Sequence, residues 1–359
     1  MNTNGFEIDF LPVGDNKKSG DCICFRYGNL EKGGSSQTVV VVDGGYAKTA
    51  QALKDHLQKY YNCTDDNGVT HIDLMILSHP DADHVGGLTE LSKDTDIDIR
   101  MIMMHRPWEE LSPAWFKDGR ITPNSLKNRL EDAFSKAVEL DENTESADRA
   151  NTVPGKYEFN SASFYILGPR AYFYKQCIAS CEKTPDQKEE MVLFTNSAKP
   201  NSDLQYEYYF KGKMKWPEGE TTSAINESSI ILLFEYNGVK ILLTGDAGQE
   251  GLRRAVMKAN DLGINLHDID MIKMPHHGSR KNVNPQLMDN FSGSKYCVFS
   301  CVKDDVGHHP SLRLTNMLLE KGFEVYSTSG KILHWGKNAP KRDGYKTAVK
   351  ATTSYKIEK

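Results

Sequence analysis

Residues 74–88, LMILSHPDADHVGGL, carry two imidazoles and two carboxylates within six positions, directly after an apolar run. The four side chains belong to His79, Asp81, Asp83 and His84. Imidazole nitrogens and carboxylate oxygens bind zinc, manganese and iron in proteins. Aspartate also caps helices, but four ligand-type residues at the end of a buried strand favour metal binding over a solvated loop. The stretch predicts a site for one metal ion, or for two ions about 3.5–4 Å apart.

Further donor residues follow later apolar runs. Asp246 ends LLTGD and is the candidate carboxylate to bridge two metals, with helix capping as its other role. The adjacent His276 and His277 end IDMIKMPHH, where packing gives little reason for a histidine pair. One of them is predicted to bind metal and the other to contact the site or the substrate. The sequence does not decide which of the two is the ligand, and we take His276 as the first choice. Catalytic roles are assigned to Asp83, Asp246 and His277.

Polar and basic residues beside these donors are candidates for substrate binding. Ser279, Arg280 and Lys281 follow the histidine pair and could hold phosphate oxygens, although a solvated turn explains them equally well. His309, in the stretch GHHPS, is predicted to face the substrate, with helix capping and metal binding left open.

The elements that must position these residues alternate between strands and helices. Apolar runs such as 38–45 (TVVVVDGG) and 72–79 (IDLMILSH) predict buried strands, whereas 47–62 (AKTAQALKDHLQKYYN) has the apolar spacing of a helix. A hairpin with an Asn-Gly turn is predicted at 228–246. In α/β folds, ligands bind at the carboxyl ends of such strands, so the donor residues are expected to converge there.

The alternation breaks in the middle of the chain. Residues 105–220 are polar and turn-rich in long stretches, and we interpret them as an insertion or cap within one domain of residues 1–359. A single amphipathic helix is predicted at 124–140, capped by one of its first two residues. Residues 336–359 are interpreted as a basic C-terminal tail.

Composition excludes some classes of protein. The chain has 359 residues and a net charge of -5, which gives no global attraction to nucleic acid or anionic membrane. It has no apolar run long enough to cross a bilayer, and its first residues do not resemble a signal peptide. Seven cysteines, an odd number at irregular spacing, predict free thiols and a reducing, cytoplasmic location.

The motifs, taken in order, resemble those of the metallo-β-lactamase superfamily. SHPDADHVGGL is similar to the family's His-x-His-x-Asp-His signature, with Asp81 in place of the second histidine. Together with NESSIILLFEYNGVKILLTGDA, KMPHHGS and GHHPS, it resembles the hydrolase domain of ComEC-type competence proteins, in a freestanding, soluble form. The resemblance implies that Asp43 supports the site. It also implies that Asn226 or Ser228 faces the site, because the third motif lacks its usual histidine.

This resemblance implies an α/β fold, the four-layer αββα metallo-β-lactamase sandwich, with an insertion between its two halves. It also implies one or two divalent metals, zinc or manganese, and the oxygen-rich donors shift the expectation towards manganese or one weakly held ion. We predict a metal-dependent hydrolase, a phosphodiesterase or nuclease that cleaves DNA with metal-activated water. Local basic groups, namely Arg253-Arg254, Arg280-Lys281 and the tail, would contact the nucleic-acid backbone.

Two alternatives remain open at this point. The first keeps the fold and hydrolyses a small molecule, such as a cyclic nucleotide, lactone or thioester, under the insertion as a lid. The second is a non-catalytic binding module on a degenerate metal site, which the intact set of His and Asp residues disfavours. The sequence predicts no membrane partner and leaves the oligomeric state undetermined.

Overall fold

The computed structural model describes residues 4–15, 17–188, 216, 219–303, 305–342 and 349–350. The strands are β1 (Asn4–Phe10), β2 (Gly14–Asp15), β3 (Lys18–Ser19), β4 (Cys22–Asn29), β5 (Gln37–Gly44), β6 (Thr70–Ile72), β7 (Leu74–Ile76), β8 (Ile97–Ile99), β9 (Met101–Met103), β10 (Asp148–Arg149), β11 (Gly155–Phe159), β12 (Ala162–Gly168), β13 (Ile231–Tyr236), β14 (Val239–Leu243), β15 (Met271–Lys273), β16 (Tyr296–Phe299), β17 (Glu324–Ser327), β18 (Leu333–Lys337) and β19 (Val349–Lys350). The α-helices are α1 (Ala50–Tyr60), α2 (Ala82–Leu91), α3 (Pro107–Glu110), α4 (Pro123–Ala133), α5 (Ser135–Asn143), α6 (Ala171–Ala179), α7 (Ala224–Glu227), α8 (Gln249–Asp261), α9 (Pro285–Asp289) and α10 (Leu312–Glu320). Short 3-10 turns lie at Gly34–Ser36, Ala47–Thr49, Pro113–Trp115 and His276–Gly278.

The strands form two large sheets that pack face to face. The spatial order is β10-β9-β7-β5-β4-β1-β18 in the first sheet and β11-β12-β13-β14-β15-β16-β17-β19 in the second. Two short pairs, β2-β3 and β6-β8, lie outside them. Strand β18 leaves the C-terminal half and pairs antiparallel with β1, so the two halves of the chain share the first sheet.

Strand β5 shows why the chain folds in layers. Val40 and Val42 pack between the sheets, in one apolar cluster with Phe234 of the second sheet. Val39 and Val41 belong instead to the cluster beneath helices α1 and α2, because successive side chains point to opposite faces. Helices α8, α9 and α10 cover the outer face of the second sheet in the same way. The predicted four-layer αββα architecture is confirmed.

Parallel strands bring the donor residues to one edge. Strand β7 runs parallel between β5 and β9, and β14 to β17 are parallel neighbours in the second sheet. Asp43 and His79 lie at the carboxyl ends of β5 and β7, and Asp246 and His276 follow β14 and β15. Parallel strands end at the same edge, so residues far apart in sequence converge there.

The middle region contributes to both sheets. Strand β10 extends the first sheet beside β9, and β11 and β12 extend the second beside β13. Residues 189–215 and 217–218 lie outside the described part of the chain, as do 343–348 and 351–359 of the tail. The single-domain boundaries and the role of 105–220 as a cap over the site stay predictions.

The amphipathic stretch of the middle region forms two helices, α4 and α5, where one was predicted. Phe134 separates them with φ -118° and ψ 32°, outside the helical region. The first helix is capped by Thr122, whose side chain accepts the N–H of Ser125, and neither Asn124 nor Ser125 is the cap. Pro123 takes the first helical position, where its missing N–H costs no hydrogen bond.

Helix length bears on the membrane prediction. Within the described ranges, every helix is too short or too polar to cross a bilayer.

The seven cysteines are free and buried. The predicted cytoplasmic location stays a prediction.

Candidate metal centre

Asp43 anchors the turn that follows β7. Its carboxylate accepts the Ser78 N–H at 2.8 Å and the Ser78 hydroxyl at 2.7 Å. It also accepts a hydrogen bond from His84 Nδ1 at 2.8 Å. A histidine that donates through Nδ1 to a carboxylate has its Nε2 free to bind a metal, and its ring is fixed in orientation. Asp43 therefore lies where a supporting residue of the site was predicted.

Four side chains from three separate segments of the chain converge at this edge: Asp83 and His84 in the first turn of α2, Asp246 after β14 and His277 after β15. His84 Nε2 lies 3.4 Å from Asp246 Oδ2, and His277 Nε2 lies 3.2 Å from Asp83 Oδ2. One donor atom from each of the four residues lies within 4.8 Å of all the others. Two ligands of a tetrahedral zinc ion with bonds near 2.1 Å are about 3.4 Å apart, which matches these separations.

His79 and Asp81 extend this cluster on one side. His79 Nε2 lies 3.6 Å from Asp81 Oδ2, and the imidazole rings of His79 and His84 are 4.1 Å apart. The Nε2 atoms of His79 and His84 are buried and have no hydrogen-bond partner in the described part of the chain. Buried polar atoms normally have a partner, so these two nitrogens fit ligands of a bound cation. The donor set thus suits one or two divalent metals.

Electrostatics also favour a cation here. Burial lowers the pKa of His84, but the carboxylates of Asp246 and Asp43 outweigh it and raise the pKa well above its usual value. Burial likewise opposes protonation of His277, yet Asp246 and Asp21 raise its pKa to about 10. In the metal-free protein, protons therefore neutralise carboxylates that a divalent metal would otherwise neutralise.

Backbone geometry turns the two adjacent histidines in different directions. His276 and His277 have φ of 47° and 56°, and Gly278 follows with φ 94°. Non-glycine residues rarely adopt this left-handed region, and such strain collects at functional sites. A Cβ on Gly278 would lie 2.6 Å from the Phe299 ring, so only glycine fits the close approach. The three consecutive left-handed residues set the positions of both imidazoles.

His277, rather than His276, lies among the cluster's donor atoms. His277 Nδ1 donates to the Ser300 carbonyl at 2.9 Å, which leaves its Nε2 facing Asp83. His276 Nε2 is 3.9 Å from Asp246 Oδ2, and its Nδ1 lies 3.2 Å from Asn226 Nδ2. This arrangement favours His277 as the ligand in the choice that the sequence left open, and the assignment of His276 stays a prediction. The side chain of His276 is 31% exposed, so it lies on the open side of the cluster.

Two charged residues of the site were not identified from the sequence. Lys273 and Asp21 are both fully buried and form an ion pair. Asp21 Oδ1 also lies 3.3 Å from His277 Nδ1. A lysine within the apolar run MIKM was the available signal, because an unpaired ammonium is almost never buried.

Asn226 and Ser228, predicted to contact the substrate, form hydrogen bonds within the protein. Asn226 donates to the Thr222 hydroxyl and to His276 Nδ1, so it braces the histidine. The Ser228 hydroxyl donates to the Ile225 carbonyl at 2.6 Å and is not directed at the cluster. The neighbouring Ser229 reaches the site instead, because its Oγ accepts the backbone N–H of Asp246 at 3.0 Å.

The residues that follow the histidine pair differ from one another. Ser279 is buried, and its Oγ accepts the Lys281 N–H at 3.4 Å. Arg280 donates two hydrogen bonds of 3.0 Å to Glu220, whereas the side chain of Lys281 is exposed. Arg280 is therefore paired within the fold, and its assignment as a phosphate contact stays a prediction.

Other predicted basic groups are also paired internally. Arg253 and Arg254 both form ion pairs with Glu250. At the start of the tail, Arg342 forms ion pairs with Glu7 and Asp9. Arg342 is therefore neutralised by two carboxylates, whereas Arg253 and Arg254 share a single carboxylate and keep a net positive charge.

His309 lies beside the two adjacent histidines, and its predicted role in facing the substrate stays a prediction. Its ring is 5.3 Å from that of His276 and 6.4 Å from that of His277. Burial and the neighbouring imidazoles lower the pKa of His309 to about 3, so it is neutral at physiological pH. It extends the imidazole surface on the open side of the cluster.

Comparison with known proteins agrees with this geometry. Residues 34–147 match the sequence model of the Metallo-beta-lactamase superfamily, which confirms the resemblance found in the motifs. The chain is 27% identical over 124 residues to ComE operon protein 3 of Bacillus subtilis (strain 168). That alignment covers 34% of this chain and spans only 15% of the length of the relative.

Two solved structures resemble the chain over most of its length. Zn(2+)-bound PqqB from Methylobacterium extorquens has 10% sequence identity and a TM-score of 0.45, covering 91% of this chain and 99% of that one. A diphosphatase from the PhnP family has 10% identity and a TM-score of 0.40, covering 93% and 98%.

Proposed function

We propose that this member of the Metallo-beta-lactamase superfamily, a metal-dependent hydrolase, cleaves phosphodiester bonds and acts on DNA. The observation that carries the proposal is the cluster of Asp83, His84, Asp246 and His277, with donor atoms at metal-ligand separations. It is reinforced by the buried Nε2 atoms of His79 and His84, which form no hydrogen bond within the described residues but lie near carboxylates of the cluster. The sequence motifs of the ComEC type direct the choice of a phosphodiester substrate.

The residues that would hold the metals are His79, Asp81, Asp83, His84, Asp246 and His277. Three imidazoles and three carboxylates suit either zinc or manganese. When bound, such ions supply an activated water nucleophile near neutral pH and neutralise charge on the oxygen under attack.

The chain's own residues would orient the substrate from the open side of the cluster. Asp83 is 23% exposed, so its carboxylate can accept a hydrogen bond from the attacking water. His276 lies beside it, and its Nδ1 is near the amide of Asn226 and the Asn282 Oδ1 at 3.3 Å. These contacts fix the imidazole ring with Nε2 3.9 Å from Asp246 Oδ2, on the exposed side of the cluster where a phosphoryl oxygen could reach it.

Exposed lysines near the cluster support a polyanionic substrate. Lys17 and Lys18 lie on the β2-β3 hairpin, and Lys303 lies on the loop after β16; all three are exposed. The hairpin is joined to that loop by a 2.8 Å hydrogen bond from the Val306 N–H to the Lys17 carbonyl. It leads directly into Asp21, whose N–H donates to the Asp83 carbonyl at 3.1 Å. The backbone that carries these cations is therefore linked to the candidate metal centre through Asp21.

A nuclease assay tests the proposal. The purified chain, incubated with Mn²⁺ or Zn²⁺, should cleave single- or double-stranded DNA, and His79→Ala should reduce the rate about a hundredfold, as for losses at metal shells. His71→Ala is the matched control, since this exposed histidine pairs with Asp98 at 2.9 Å outside the cluster. Failure to cleave either DNA, or undiminished cleavage by His79→Ala, would contradict the proposal.

Salt dependence tests the lysines of the hairpin. The double variant Lys17→Ala/Lys18→Ala should weaken DNA binding and lower the slope of log affinity against log salt, by about 0.7 per lost contact on single strands. Arg280→Ala is the control, because Glu220 already neutralises that guanidinium. The slopes would be measured by fluorescence anisotropy with labelled DNA. Equal slopes for the parent and the double variant would show that the hairpin does not contact the backbone.

The internal pairing of predicted basic groups favours a second candidate, hydrolysis of a small molecule. Arg280, Arg253 and Arg254 each face a carboxylate of the fold, which removes part of the support for a long polyanion. A cyclic nucleotide, lactone or thioester would need fewer cationic contacts than DNA. A substrate panel decides between DNA cleavage and small-molecule hydrolysis. Turnover of one of these compounds without DNA cleavage would support the small-molecule hypothesis.

A further inference from the structure

Lys273 is a buried cation beside the candidate metal centre. It is the last residue of β15, its solvent exposure is 0%, and its Nζ donates to the Gly245 carbonyl at 2.7 Å. The same ammonium pairs with Asp21 and lies 3.5 Å from Asp246 Oδ1. Burying an ammonium group is costly unless it is paired and hydrogen-bonded, so these contacts explain how the fold tolerates it.

The two carboxylate oxygens of Asp246 have different surroundings. Oδ1 faces Lys273 and accepts the backbone N–H of His276 at 3.2 Å. Oδ2 faces the imidazoles, at 3.4 Å from His84 Nε2 and 3.8 Å from His277 Nε2. Rotation of the carboxylate would therefore break the contacts of Oδ1. Asp246 is held with one oxygen towards the metal cluster.

Asp21 extends the same contacts to His277. Its Oδ1 lies 3.3 Å from His277 Nδ1, which already donates to the Ser300 carbonyl. Its backbone N–H donates to the carbonyl of Asp83 at 3.1 Å. The pair of Lys273 and Asp21 thus contacts residues of the metal cluster that come from three separate parts of the chain.

We propose that Lys273 is a positioning residue for the metal centre. It fixes Asp246 so that only Oδ2 is offered to the metals, and through Asp21 it holds His277 beside that oxygen. The inference rests on the metal centre of the proposed function, but it does not depend on the substrate. A purely structural ion pair would stabilise the fold without changing metal affinity.

The variant Lys273→Met separates these roles. It keeps an unbranched side chain in the buried space but removes the ammonium, so Asp246 Oδ1 keeps only its contact with the His276 N–H and is held less firmly. We expect the affinity of the full-length chain for Mn²⁺ or Zn²⁺ to fall about tenfold or more, in the range found when groups that orient metal ligands are removed. Affinity would be measured by competition with a chelator and expressed per folded molecule.

Arg26→Met is the matched control. Arg26 is a buried cation paired with Glu7 at 2.5 Å, in a different part of the first sheet. Its loss should lower the unfolding temperature and leave metal affinity unchanged. Parental metal affinity in Lys273→Met, with only a loss of stability like that of Arg26→Met, would overturn the proposal.

A second variant covers the case in which Lys273→Met does not fold. Asp21→Asn preserves the size of the side chain, removes the partner of Lys273, and takes the carboxylate away from His277. We again expect about a tenfold loss of metal affinity. Parental affinity in the folded Asp21→Asn protein would overturn the proposal. Failure of the parent chain to bind metal would instead count against the metal centre, and metal binding without DNA cleavage against the substrate.

Discussion

An Asp83→Ala variant is expected to fold normally and to lose metal affinity and hydrolysis together, each by about a hundredfold. Asp83 Oδ2 lies 3.2 Å from His277 Nε2 and 3.8 Å from His84 Nε2, so its removal opens the centre of the donor set. The substitution also removes a negative charge that would offset the charge of a bound metal. Metal affinity would be measured by chelator competition, and hydrolysis on the best substrate found.

Stability should survive this substitution. Asp83 lies in the first turn of α2 and its side chain is 23% exposed, so truncation leaves no closed cavity. Three large apolar clusters support the sheets and helices without a metal. Asp98→Ala is the control, because it removes a carboxylate from the exposed pair with His71. Loss of hydrolysis with unchanged metal affinity would mean that Asp83 acts on the nucleophile and does not hold metal.

The layered fold was predictable because its strands are buried on both faces. Residues Val39 to Val42 contribute to two different apolar clusters, one on each face of β5. A continuous apolar run of this kind indicates a strand that is buried on both faces, between two layers. The break at Phe134 was not predictable, because the apolar spacing continues through it and only tertiary packing decides where a helix bends. The position of β18 in the first sheet was also hidden, since strand pairing is a long-range property.

The composition of the site was easier to predict than its orientation. The residues of SHPDADH lie on one turn after β7, so their proximity follows from sequence spacing alone. The choice between His276 and His277 depends on two consecutive left-handed backbone conformations, which cannot be predicted from the residue types. Arg280 pairs with Glu220, which lies sixty positions earlier in a stretch without helical or strand periodicity. No local sequence pattern could predict that pair.

Metal affinity is expected to rise steeply with pH, because the metal-free cluster holds protons on its histidines. Burial opposes this, but Asp246 and Asp21 raise the pKa of His277 to about 10, and Asp246 and Asp43 raise that of His84 well above its usual value. A histidine must lose its proton to bind a metal. Each displaced proton makes the apparent affinity rise about tenfold per pH unit. Because both histidines must lose a proton, the apparent affinity should rise more steeply than tenfold per unit around neutral pH.

The stability of the metal-free protein should change in the opposite direction. A histidine whose pKa is higher in the folded state than in the unfolded state stabilises the folded protein. This stabilisation is complete below the pKa of the unfolded chain, about 6.5 for histidine. For His277 this contribution is lost as the pH rises towards about 10. Unfolding midpoints of the metal-free chain should fall across this range, and added metal should restore them.

Calorimetry in buffers with different ionisation enthalpies tests the proton count. At pH 7, titration of the metal-free chain with Mn²⁺ or Zn²⁺ should release about two protons per cluster filled, since His84 and His277 both start protonated. His277→Gln should release about one proton fewer, and His71→Ala, outside the cluster, should match the parent. A metal affinity that does not change with pH would mean that the imidazoles of the free protein are neutral. Metal binding would then displace no protons, and the carboxylates around His84 and His277 would not hold either imidazole protonated in the free protein.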